Sequence, residues 1–311
     1  SCGMGFPDLL QVEGKYQLRA EPPFVPSGYV TGRVVGVGSD VDPASFEVGD
    51  RVVGNAFPGE DGRGMRGGLA EEALVNAELA VHVPDAMDDA VVLAMHDNYW
   101  DVHHGISTCG RVGPSDTLLV LGASGACGMA AIDLGKALGA RVVACASSPA
   151  KLEACRRAGA DELLNYGADA DSDTFLATLK GSGFYGKIDV VFDPVGGGYG
   201  EAAFRAMARA GRYVLFGFAS GGTDPKSAFP SFPINLLLMR GQQLLGSMGS
   251  SRGDAIDEMF RMVKEGRLRP GAGSASSGAP AYTLDRYLDA FDAIAARKAI
   301  GKIVVQIDPA R

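Results

Sequence analysis

The chain has 311 residues, 46% of them hydrophobic, which suffices for two ordinary cores because a single core stops growing at roughly 250 to 300 residues. The formal net charge of −8 and the lack of a sustained basic cluster predict no nucleic-acid partner. No apolar run approaches the roughly 18 residues that a membrane span requires, and the first residues lack the layout of a signal peptide, so we expect a cytoplasmic protein without a membrane partner.

The first part of the chain is predicted to be rich in β structure. Up to Pro84, short strand patterns alternate with Gly and Pro, most clearly at residues 29–37, 50–54 and 73–75. Residues 85–106 contain no Gly or Pro before Gly105, which predicts a helix.

From residue 118 onward, apolar runs alternate with helical patterns. The predicted strands are 118–121, 141–145, 162–165, 188–193, 212–216 and 243–247, with helices at 129–138, 149–158 and 200–208. This alternation predicts a doubly wound parallel sheet and therefore an α/β protein. A last strand at 302–307, after helices at 254–265 and 284–296, is expected to return to the first domain.

A glycine-rich turn follows the first of these strands. Residues 118–128 read LLVLGASGACG, which gives a G-x-x-G-x-x-G spacing between a predicted strand and a predicted helix. Glycine at these places permits a tight turn, lets the backbone approach a pyrophosphate and lets the helix pack on the strand. The first N–H groups of the helix then face the phosphates. The turn predicts dinucleotide binding, with an ordinary glycine-rich turn as the alternative.

The end of the second parallel strand distinguishes between the two nicotinamide dinucleotides. NAD-binding domains carry Asp or Glu there for the ribose 2′-hydroxyl, whereas residues 146–151 read ASSPAK. The hydroxyls of Ser147 and Ser148 and the ammonium of Lys151 suit a 2′-phosphate. The serines also suit the cap of a helix that starts at Pro149. Both roles can hold together, and NADPH is the predicted cofactor.

Motifs along nearly the whole chain carry a family resemblance. They include CG at 2–3, FPDLL at 6–10, GKY at 14–16, FVP at 24–26, VGDRV at 48–52, the glycine turn, ASSPAK, GAD at 159–161, NY at 165–166, DPVGG at 193–197, NLLL at 235–238 and GK at 301–302. With these motifs the chain resembles the zinc-free quinone oxidoreductase (zeta-crystallin-like) branch of the medium-chain dehydrogenase/reductase superfamily.

The resemblance implies a domain plan. A GroES-like, β-rich catalytic domain would occupy residues 1–94, a Rossmann domain that binds NADPH would occupy 95–250, and 251–311 would return to the catalytic domain. The substrate would lie in the cleft between the domains, and the edge strand 243–247 would form a homodimer. Because family members usually begin with further β structure, the chain is expected to be a fragment, an N-terminally truncated gene product, or a sequence given without its start.

The resemblance also implies roles for individual residues. The implied pyrophosphate ligands are Ser124, Gly125, Ala126 and Cys127, and the implied 2′-phosphate ligands are Ser147, Lys151 and Tyr166. The implied residues at the nicotinamide are Val195, Phe216 and Gly217, with Lys302 of the returning tail against the cofactor. Tyr16 would lie near the nicotinamide as a candidate proton donor, since related enoyl-thioester reductases carry a tyrosine in the same Gly-x-Tyr context. Packing alone is the alternative role for Tyr16, Tyr166, Val195 and Phe216.

No metal is expected. The five cysteines, at positions 2, 109, 127, 145 and 155, are scattered without a C-x-x-C pair, which predicts reduced thiols rather than a disulfide framework or a structural zinc site. Alcohol dehydrogenases of the superfamily hold catalytic zinc with a Cys and a His-Glu pair, and the place of that pair reads SGY at 27–29. Hydride transfer is therefore predicted to proceed without zinc.

Three segments depart from the family pattern where the substrate is expected. Gly5 stands in place of an Asn, residues 27–29 in place of Gly-Ser-Glu, and WDVH at 100–103 in place of Gly-Thr-Ala-Tyr. The last change introduces Asp101 and His103 near the expected nicotinamide position. Both are candidate catalytic residues, for a proton relay or for substrate binding.

The histidines around residue 100 permit other interpretations. On an α-helix, Asp97, Asp101 and His104 would share one face, and His96 and His103 another. A metal site is one alternative. A helix of hydrogen-bonded polar residues with a structural role is the other.

The favoured hypothesis is an NADPH-dependent oxidoreductase that transfers a hydride to a quinone or an α,β-unsaturated carbonyl without a metal. One alternative is a 2-enoyl thioester reductase, in which Arg240, Arg252 and Arg261 would be placed for a carrier phosphate. The other is an NADPH-binding protein without catalysis.

Overall fold

The computed structural model describes residues 1–16, 21–56, 67–167, 171–221, 228–249, 254–271 and 282–307. The chain divides into two compact units: the first contains Ser1–Asp97 and Gly278–Arg311, and the second contains Asn98–Ser277. In the described ranges, no helix is both long enough and apolar enough to cross a membrane.

Strands and helices alternate through most of the described chain. The strands are β1 (Cys2–Met4), β2 (Tyr29–Arg33), β3 (Arg51–Asn55), β4 (Val81–His82), β5 (Thr117–Val120), β6 (Arg141–Ala146), β7 (Glu162–Asn165), β8 (Ile188–Asp193), β9 (Met207–Leu215), β10 (Gln243–Gly246), β11 (Tyr282–Thr283) and β12 (Ile303–Gln306). The α-helices are α1 (Phe6–Val12), α2 (Asp89–Ala94), α3 (Trp100–His103), α4 (Ala126–Ala137), α5 (Pro149–Arg157), α6 (Ser172–Gly181), α7 (Gly197–Ala206), α8 (Asn235–Arg240), α9 (Asp254–Lys264) and α10 (Tyr287–Ala295).

The first unit is built on a six-stranded sheet in the order β11-β12-β1-β2-β3-β4. Neighbouring strands run antiparallel, except β11 and β12, which are parallel. Helix α10 covers β1 and β12, and the shared core consists of Cys2, Met4, Ala290, Ile294, Ile303 and Val305. The last strand of the chain therefore pairs with the first one.

Two strand predictions in the first unit need correction. The strand predicted at 29–37 ends at Arg33; Val35 is 71% exposed, and glycines at 36 and 38 follow without a side chain to pack. The prediction at 73–75 is wrong, because these residues are in no strand. Leu74 is 70% exposed, so the local apolar pattern does not correspond to a buried face.

The second unit confirms the predicted doubly wound sheet. Its six strands run in the order β10-β9-β8-β5-β6-β7, and all neighbouring pairs are parallel. The side chains of Leu118, Leu119 and Val120 in the central strand β5 are fully buried, as expected for a parallel strand covered on both faces. The strand order reverses between β5 and β8, and such sheets bind ligands beyond the carboxyl ends of the strands at this point.

The helix predicted at 85–106 is present but irregular. It runs as α2, a π-helical segment Met95–Tyr99, then α3, and a second π-helical segment His104–Cys109. A π turn closes i→i+5 hydrogen bonds and displaces side chains from α-helical spacing. The predicted shared faces, with Asp97, Asp101 and His104 on one and His96 and His103 on the other, assumed one regular α-helix, and they remain predictions.

Candidate functional site: the carboxyl edge of the parallel sheet

The three glycines of the glycine-rich segment 122–128, which runs from the end of β5 into the first turn of α4, have different surroundings. Gly122 has a φ of +57°, and a Cβ there would lie 2.7 Å from Cγ2 of Val195. A Cβ on Gly128 would lie 2.5 Å from the carbonyl oxygen of Gly122, so this glycine lets α4 pack against the turn. A Cβ on Gly125 would meet the protein only at 3.4 Å, and its φ of −76° suits any residue. The space beside Gly125 is therefore open to a ligand.

The four residues predicted to bind a pyrophosphate, Ser124, Gly125, Ala126 and Cys127, lie together at the start of α4. Gly125 is the N-cap residue and forms no side-chain cap, so the first turn can offer its N–H groups to an anion. Cys127 is partly exposed, and its sulfur accepts a hydrogen bond from Nδ2 of Asn98 over 3.5 Å.

At the carboxyl end of β6, two adjacent serines have different partners. Ser148 is the N-cap of α5, and its Oγ accepts a hydrogen bond from the backbone N–H of Lys151 over 3.4 Å. The ammonium of Lys151 donates to Oγ of Ser147 over 3.1 Å. Ser148 therefore caps α5, while Ser147 and Lys151 form a half-buried polar pair.

Tyr166 follows β7 and lies beside the end of β6, where its backbone N–H donates to the carbonyl oxygen of Ala146 over 3.2 Å. Its ring contacts Phe175 and Tyr199, with centroid distances of 5.6 and 4.6 Å. Burial raises the pKa of the Tyr166 hydroxyl, and nearby Cys145 adds to this effect. The hydroxyl is a neutral group that can donate one hydrogen bond.

Asp193, at the end of β8, organises the neighbouring loops. Its carboxylate accepts hydrogen bonds from the Tyr213 hydroxyl and from the backbone N–H groups of Val195, over 2.7 Å, and Gly196, over 2.8 Å. Burial raises the pKa of Asp193, while these three hydrogen bonds lower it. The sequence drew attention to Asp193 only within the DPVGG motif; an acidic residue directly after the apolar run Val190, Val191 and Phe192 was the available signal for this role.

The backbone of Asp193 brings the nicotinamide candidates together. Its carbonyl oxygen accepts the N–H groups of Phe216, over 2.8 Å, and Gly217, over 3.1 Å. The Phe216 ring contacts Phe192, with centroids 4.8 Å apart. Val195, Phe216 and Gly217 are thus fixed around one residue at the ends of β8 and β9.

Asp101 and His103 lie on α3, two positions apart, where helical side chains do not face each other. Burial lowers the pKa of His103; the charge of Glu258 raises it and that of His104 lowers it. Nδ1 of His104 lies 3.3 Å from Oγ of Ser247. The imidazole of His103 is therefore neutral at neutral pH and able to exchange a proton.

Lys302 lies in the interior of the first unit. The residue is 8% exposed, its Nζ donates to the carboxylate of Asp97, and a Cβ on Gly3 would lie 2.7 Å from its Cε. Asp8 is nearby: burial raises the pKa of its carboxyl group to about 6, although the charge of Lys302 and the N–H of Gly5 act in the opposite direction. The ammonium of Lys302 is thus engaged with carboxylates of its own unit.

Tyr16 follows α1 in the first unit. Its side chain is half-buried, and its backbone N–H donates to the carbonyl oxygen of Leu10 over 3.1 Å. Tyr16 and Lys302 belong to the first unit, whereas Asp101, His103 and the other candidate residues belong to the second.

Residues 27–29 stand where alcohol dehydrogenases carry the His-Glu pair that binds catalytic zinc, and they offer different side chains. Ser27 is fully buried, and its Oγ donates to the carbonyl oxygen of Gly3 over 3.0 Å. Burial raises the pKa of the Cys2 thiol, while the hydrogen bond with Ser27 lowers it. Elsewhere, Nε2 of His96 lies 2.6 Å from Oδ1 of Asn55. In the part of the chain that the structure describes, no three His, Cys, Asp or Glu side chains are grouped to hold a metal ion.

Comparison with known proteins identifies the family. Residues 1–85 match the alcohol dehydrogenase GroES-like domain, and residues 126–265 match the zinc-binding dehydrogenase family. The chain is 31% identical over 314 residues to quinone oxidoreductase-like protein 2 homolog of Nematostella vectensis, covering 98% of this chain and 79% of the relative. It is 28% identical over 313 residues to polyketide synthase GfsB of Streptomyces halstedii, covering 100% of this chain and 5% of that protein.

A mycobacterial protein solved in complex with NADPH has a similar structure. The two chains are 25% identical, the TM-score is 0.74, and the match covers 98% of this chain and 88% of the other. These findings confirm the resemblance that the sequence motifs carry. The chain therefore belongs to the medium-chain dehydrogenase/reductase superfamily, with quinone oxidoreductase-like proteins among its relatives.

Proposed function

We propose that the second unit binds NADPH. The proposal rests on the pair of Ser147 and Lys151, since a hydroxyl and an ammonium stand at the carboxyl end of β6, where NAD-binding domains carry a carboxylate. A 2′-phosphate suits these two donors, with the neutral Tyr166 hydroxyl as a third. The open space beside Gly125 fits the close approach of a pyrophosphate, and the mycobacterial relative was solved with the same cofactor.

We infer that the reaction is the reduction of a quinone or an α,β-unsaturated carbonyl. Bound NADPH would supply a hydride. Val195, Phe216 and Gly217 would hold the nicotinamide end, and Asp193 would keep their loops in place. Hydrogen-bond donors of the chain would stabilise the oxyanion that develops on the substrate. The quinone oxidoreductase-like relative supports this substrate class.

Tyr16 is the first candidate for the proton donor. Tyr16→Phe is expected to lower turnover of enones by about 100-fold to 10,000-fold and to leave NADPH affinity unchanged. Unchanged turnover would remove Tyr16 from the mechanism. His103 and Asp101 would then be the remaining candidates, and His103→Gln separates them because it removes the neutral imidazole alone.

We propose that the reaction needs no metal. Zinc binds thiolate, imidazole and carboxylate ligands, whereas burial keeps Cys2 as a neutral thiol and Ser27 donates its hydroxyl to a backbone carbonyl. Polarisation of the substrate would depend on hydrogen bonds from the protein. Activity after complete removal of metal by a chelator tests this point.

The match to a polyketide synthase favours 2-enoyl thioester reduction as a second candidate. That reaction would require a basic patch for a carrier phosphate. Arg240 donates to the carbonyl oxygen of Arg205 over 3.1 Å, and Arg261 pairs with Glu258 over 3.4 Å, while Arg252 lies outside the described residues. These contacts give the second candidate less support than the first.

We also propose a homodimer through β10. This strand is at the edge of the parallel sheet, and apolar side chains beside it are exposed: Leu238 at 89% and Met248 at 92%. An unpaired edge with apolar flanks is a surface that a second copy can cover.

Isotope transfer tests the proposed reaction. With NADPH deuterated at the transferable position of the nicotinamide, the deuterium should appear on the β-carbon of a reduced enone, with the second hydrogen coming from solvent. Product without deuterium would exclude hydride transfer. Binding of NADPH without product from any quinone, enone or enoyl thioester would favour a protein that binds the cofactor without catalysis.

A further inference from the structure

Tyr213 and Asp193 form a hydrogen-bonded pair in the interior of the second unit. Both residues are fully buried, and the Tyr213 hydroxyl donates to Oδ2 of the Asp193 carboxylate. The Tyr213 ring packs against Phe204 and Phe232, with centroid distances of 5.8 and 5.0 Å. The core therefore fixes the direction from which the hydroxyl approaches the carboxylate.

Helix α7 leaves room for this pair at Gly200. A Cβ there would lie 2.5 Å from Oη of Tyr213 and 2.8 Å from Oδ2 of Asp193, so a larger residue would displace one of the two groups. Burying a carboxylate costs free energy that its hydrogen bonds must offset, and apolar residues of similar volume often fill a core equally well. Core packing alone therefore does not account for this pair.

The other oxygen of the carboxylate holds a loop. Oδ1 of Asp193 accepts the backbone N–H groups of Val195, over 2.7 Å, and Gly196, over 2.8 Å. Val195 borders the glycine turn, because a Cβ on Gly122 would lie 2.7 Å from its Cγ2. The two N–H groups require one rotation of the carboxylate about its Cβ–Cγ bond, and the Tyr213 hydroxyl fixes that rotation from the opposite oxygen. Hydrogen bonds thus connect the core to the loop beside the glycine turn.

We propose that Tyr213 is a positioning residue for the nicotinamide end of NADPH, and that it acts through Asp193 without touching the cofactor. The inference rests on the proposed function, in which Val195, Phe216 and Gly217 hold the nicotinamide. The carbonyl oxygen of Asp193 accepts the N–H groups of Phe216 and Gly217, so this one residue supports both segments. The proposed 2′-phosphate site follows β6, which is two strands away from β8 in the sheet. Loss of the Tyr213 hydroxyl should therefore disturb one end of the cofactor and spare the other.

Two ligands of different length test this inference on the full chain. NADP⁺ would occupy both ends of the site, whereas 2′,5′-ADP would occupy the adenosine end alone. Tyr213→Phe retains the ring and its contacts and removes only the hydroxyl. We expect this variant to bind NADP⁺ about tenfold more weakly than the wild type does and to bind 2′,5′-ADP with unchanged affinity. Isothermal titration calorimetry measures both affinities.

Tyr99→Phe is the matched control. Tyr99 is 3% exposed and donates its hydroxyl to Oδ2 of Asp133 over 2.7 Å, so this variant also removes a buried hydrogen bond from a tyrosine to a carboxylate. The Asp133 carboxylate accepts the backbone N–H of Arg269 rather than that of a nicotinamide loop. Urea unfolding should give a lower midpoint for both variants, while the ratio of the NADP⁺ and 2′,5′-ADP affinities should change in Tyr213→Phe alone.

Variants of Asp193 test whether Tyr213 acts through this residue. Asp193→Asn keeps an oxygen that can accept the two loop N–H groups, so it should retain NADP⁺ affinity better than Asp193→Ala, which removes that acceptor. In the Asp193→Ala background, Tyr213→Phe should cause no further loss of NADP⁺ affinity, because two residues of one network are not additive. A full additional loss would overturn the path through Asp193.

The outcomes separate this inference from the proposed function. Equal losses for NADP⁺ and 2′,5′-ADP in Tyr213→Phe, or no loss for either, would overturn the positioning role. The same change of ratio in Tyr99→Phe would overturn it as well. Equal affinities of the wild type for the two ligands would overturn the inference while NADPH binding stands, since the nicotinamide end would then add no affinity. Binding of neither ligand to the wild type would refute the proposed function, and the positioning role with it.

Discussion

The ammonium of Lys151, in the first turn of α5, donates a hydrogen bond over 3.1 Å to the hydroxyl of Ser147, which directly follows β6. The pair presents a positive charge and a hydroxyl at the position where NAD-binding domains carry an Asp or Glu. That carboxylate binds the ribose 2′-hydroxyl and would exclude a 2′-phosphate. Ser148 is occupied with capping α5. Cofactor selectivity and helix capping are therefore separable by mutation.

Lys151→Ala is expected to weaken NADPH binding by about 1.5 to 3 kcal/mol, the range for a hydrogen bond to a charged group, and to leave NADH binding unchanged. Fluorescence titration with both cofactors measures this difference. Arg156→Ala removes a positive charge from the exposed side of the same helix and should change neither affinity. Equal losses for NADPH and NADH in Lys151→Ala would contradict a contact with the 2′-phosphate.

The glycine turn gives a second prediction, because two of its glycines are required for different reasons. Gly125→Ala should leave the free energy of unfolding within about 0.5 kcal/mol of the wild type, since the added Cβ meets the protein only at 3.4 Å. It should nevertheless weaken NADPH binding at least about tenfold, because the methyl group occupies the space for the pyrophosphate.

Gly128→Ala is the matched comparison. Its Cβ would lie 2.5 Å from a backbone oxygen, so we expect destabilisation by about 1 to 3 kcal/mol through overpacking. Urea unfolding and cofactor titration of both variants distinguish the two effects. Normal NADPH affinity in a stable Gly125→Ala protein would argue against a pyrophosphate at this turn.

Asp8 gives a prediction about pH. Burial raises the pKa of its carboxyl group to about 6 in the folded protein, compared with about 3.9 in an unfolded chain. The folded state binds the proton of Asp8 more tightly than the unfolded state does. The stabilising contribution of Asp8 to the free energy of unfolding is therefore complete below about pH 4 and is lost as the pH rises through 6.

Asp8→Asn lacks this titration and can still accept the N–H of Gly5. Between about pH 4 and pH 7, the free energy of unfolding of the wild type should therefore fall relative to that of the variant, by up to about 3 kcal/mol. Asp161→Asn provides a control of opposite sign: although burial raises the pKa of Asp161, hydrogen bonds from Lys136 and Val142 lower it overall. The wild type should therefore gain stability relative to that variant only as the pH rises to about 4, with no further change between about pH 4 and pH 7. A constant difference for Asp8→Asn would show that Asp8 ionises normally.

The edge strand β10 gives a prediction about assembly. Leu244 is 40% exposed on this strand, and Leu244→Lys should convert a homodimer into a monomer, because a charge would be buried at the new interface. Leu74→Lys places the same charge on an exposed leucine of the first unit and should leave the mass unchanged. Analytical ultracentrifugation decides between these results, and a wild-type monomer at high protein concentration would exclude the dimer.

The sequence was most informative where structure depends on local pattern. The parallel sheet follows from apolar runs punctuated by glycine, and the strands Glu162–Asn165 and Ile188–Asp193 have their predicted bounds. Strand β1 was not predicted because three residues carry no periodicity, and its pairing with β12 joins opposite ends of the chain. Only tertiary contacts create that strand.

In the candidate site too, the features that follow from a local sequence pattern were predictable and the long-range contacts were not. The glycine spacing and the ASSPAK segment identified positions that do lie at the carboxyl edge of the sheet. The sequence could not reveal that Lys302 pairs with Asp97, because the two residues are distant in the chain. Nor could it reveal the π-helical segments on either side of α3, since a helical pattern does not distinguish α from π hydrogen bonding.

The most direct test is steady-state oxidation of NADPH by the full chain after treatment with a metal chelator, with quinones, enones and enoyl thioesters as acceptors. We expect oxidation with a quinone or an enone, unchanged by chelation and at least about tenfold more efficient with NADPH than with NADH. Activity that disappears on chelation and returns with zinc, or equal efficiency with both cofactors, would contradict it.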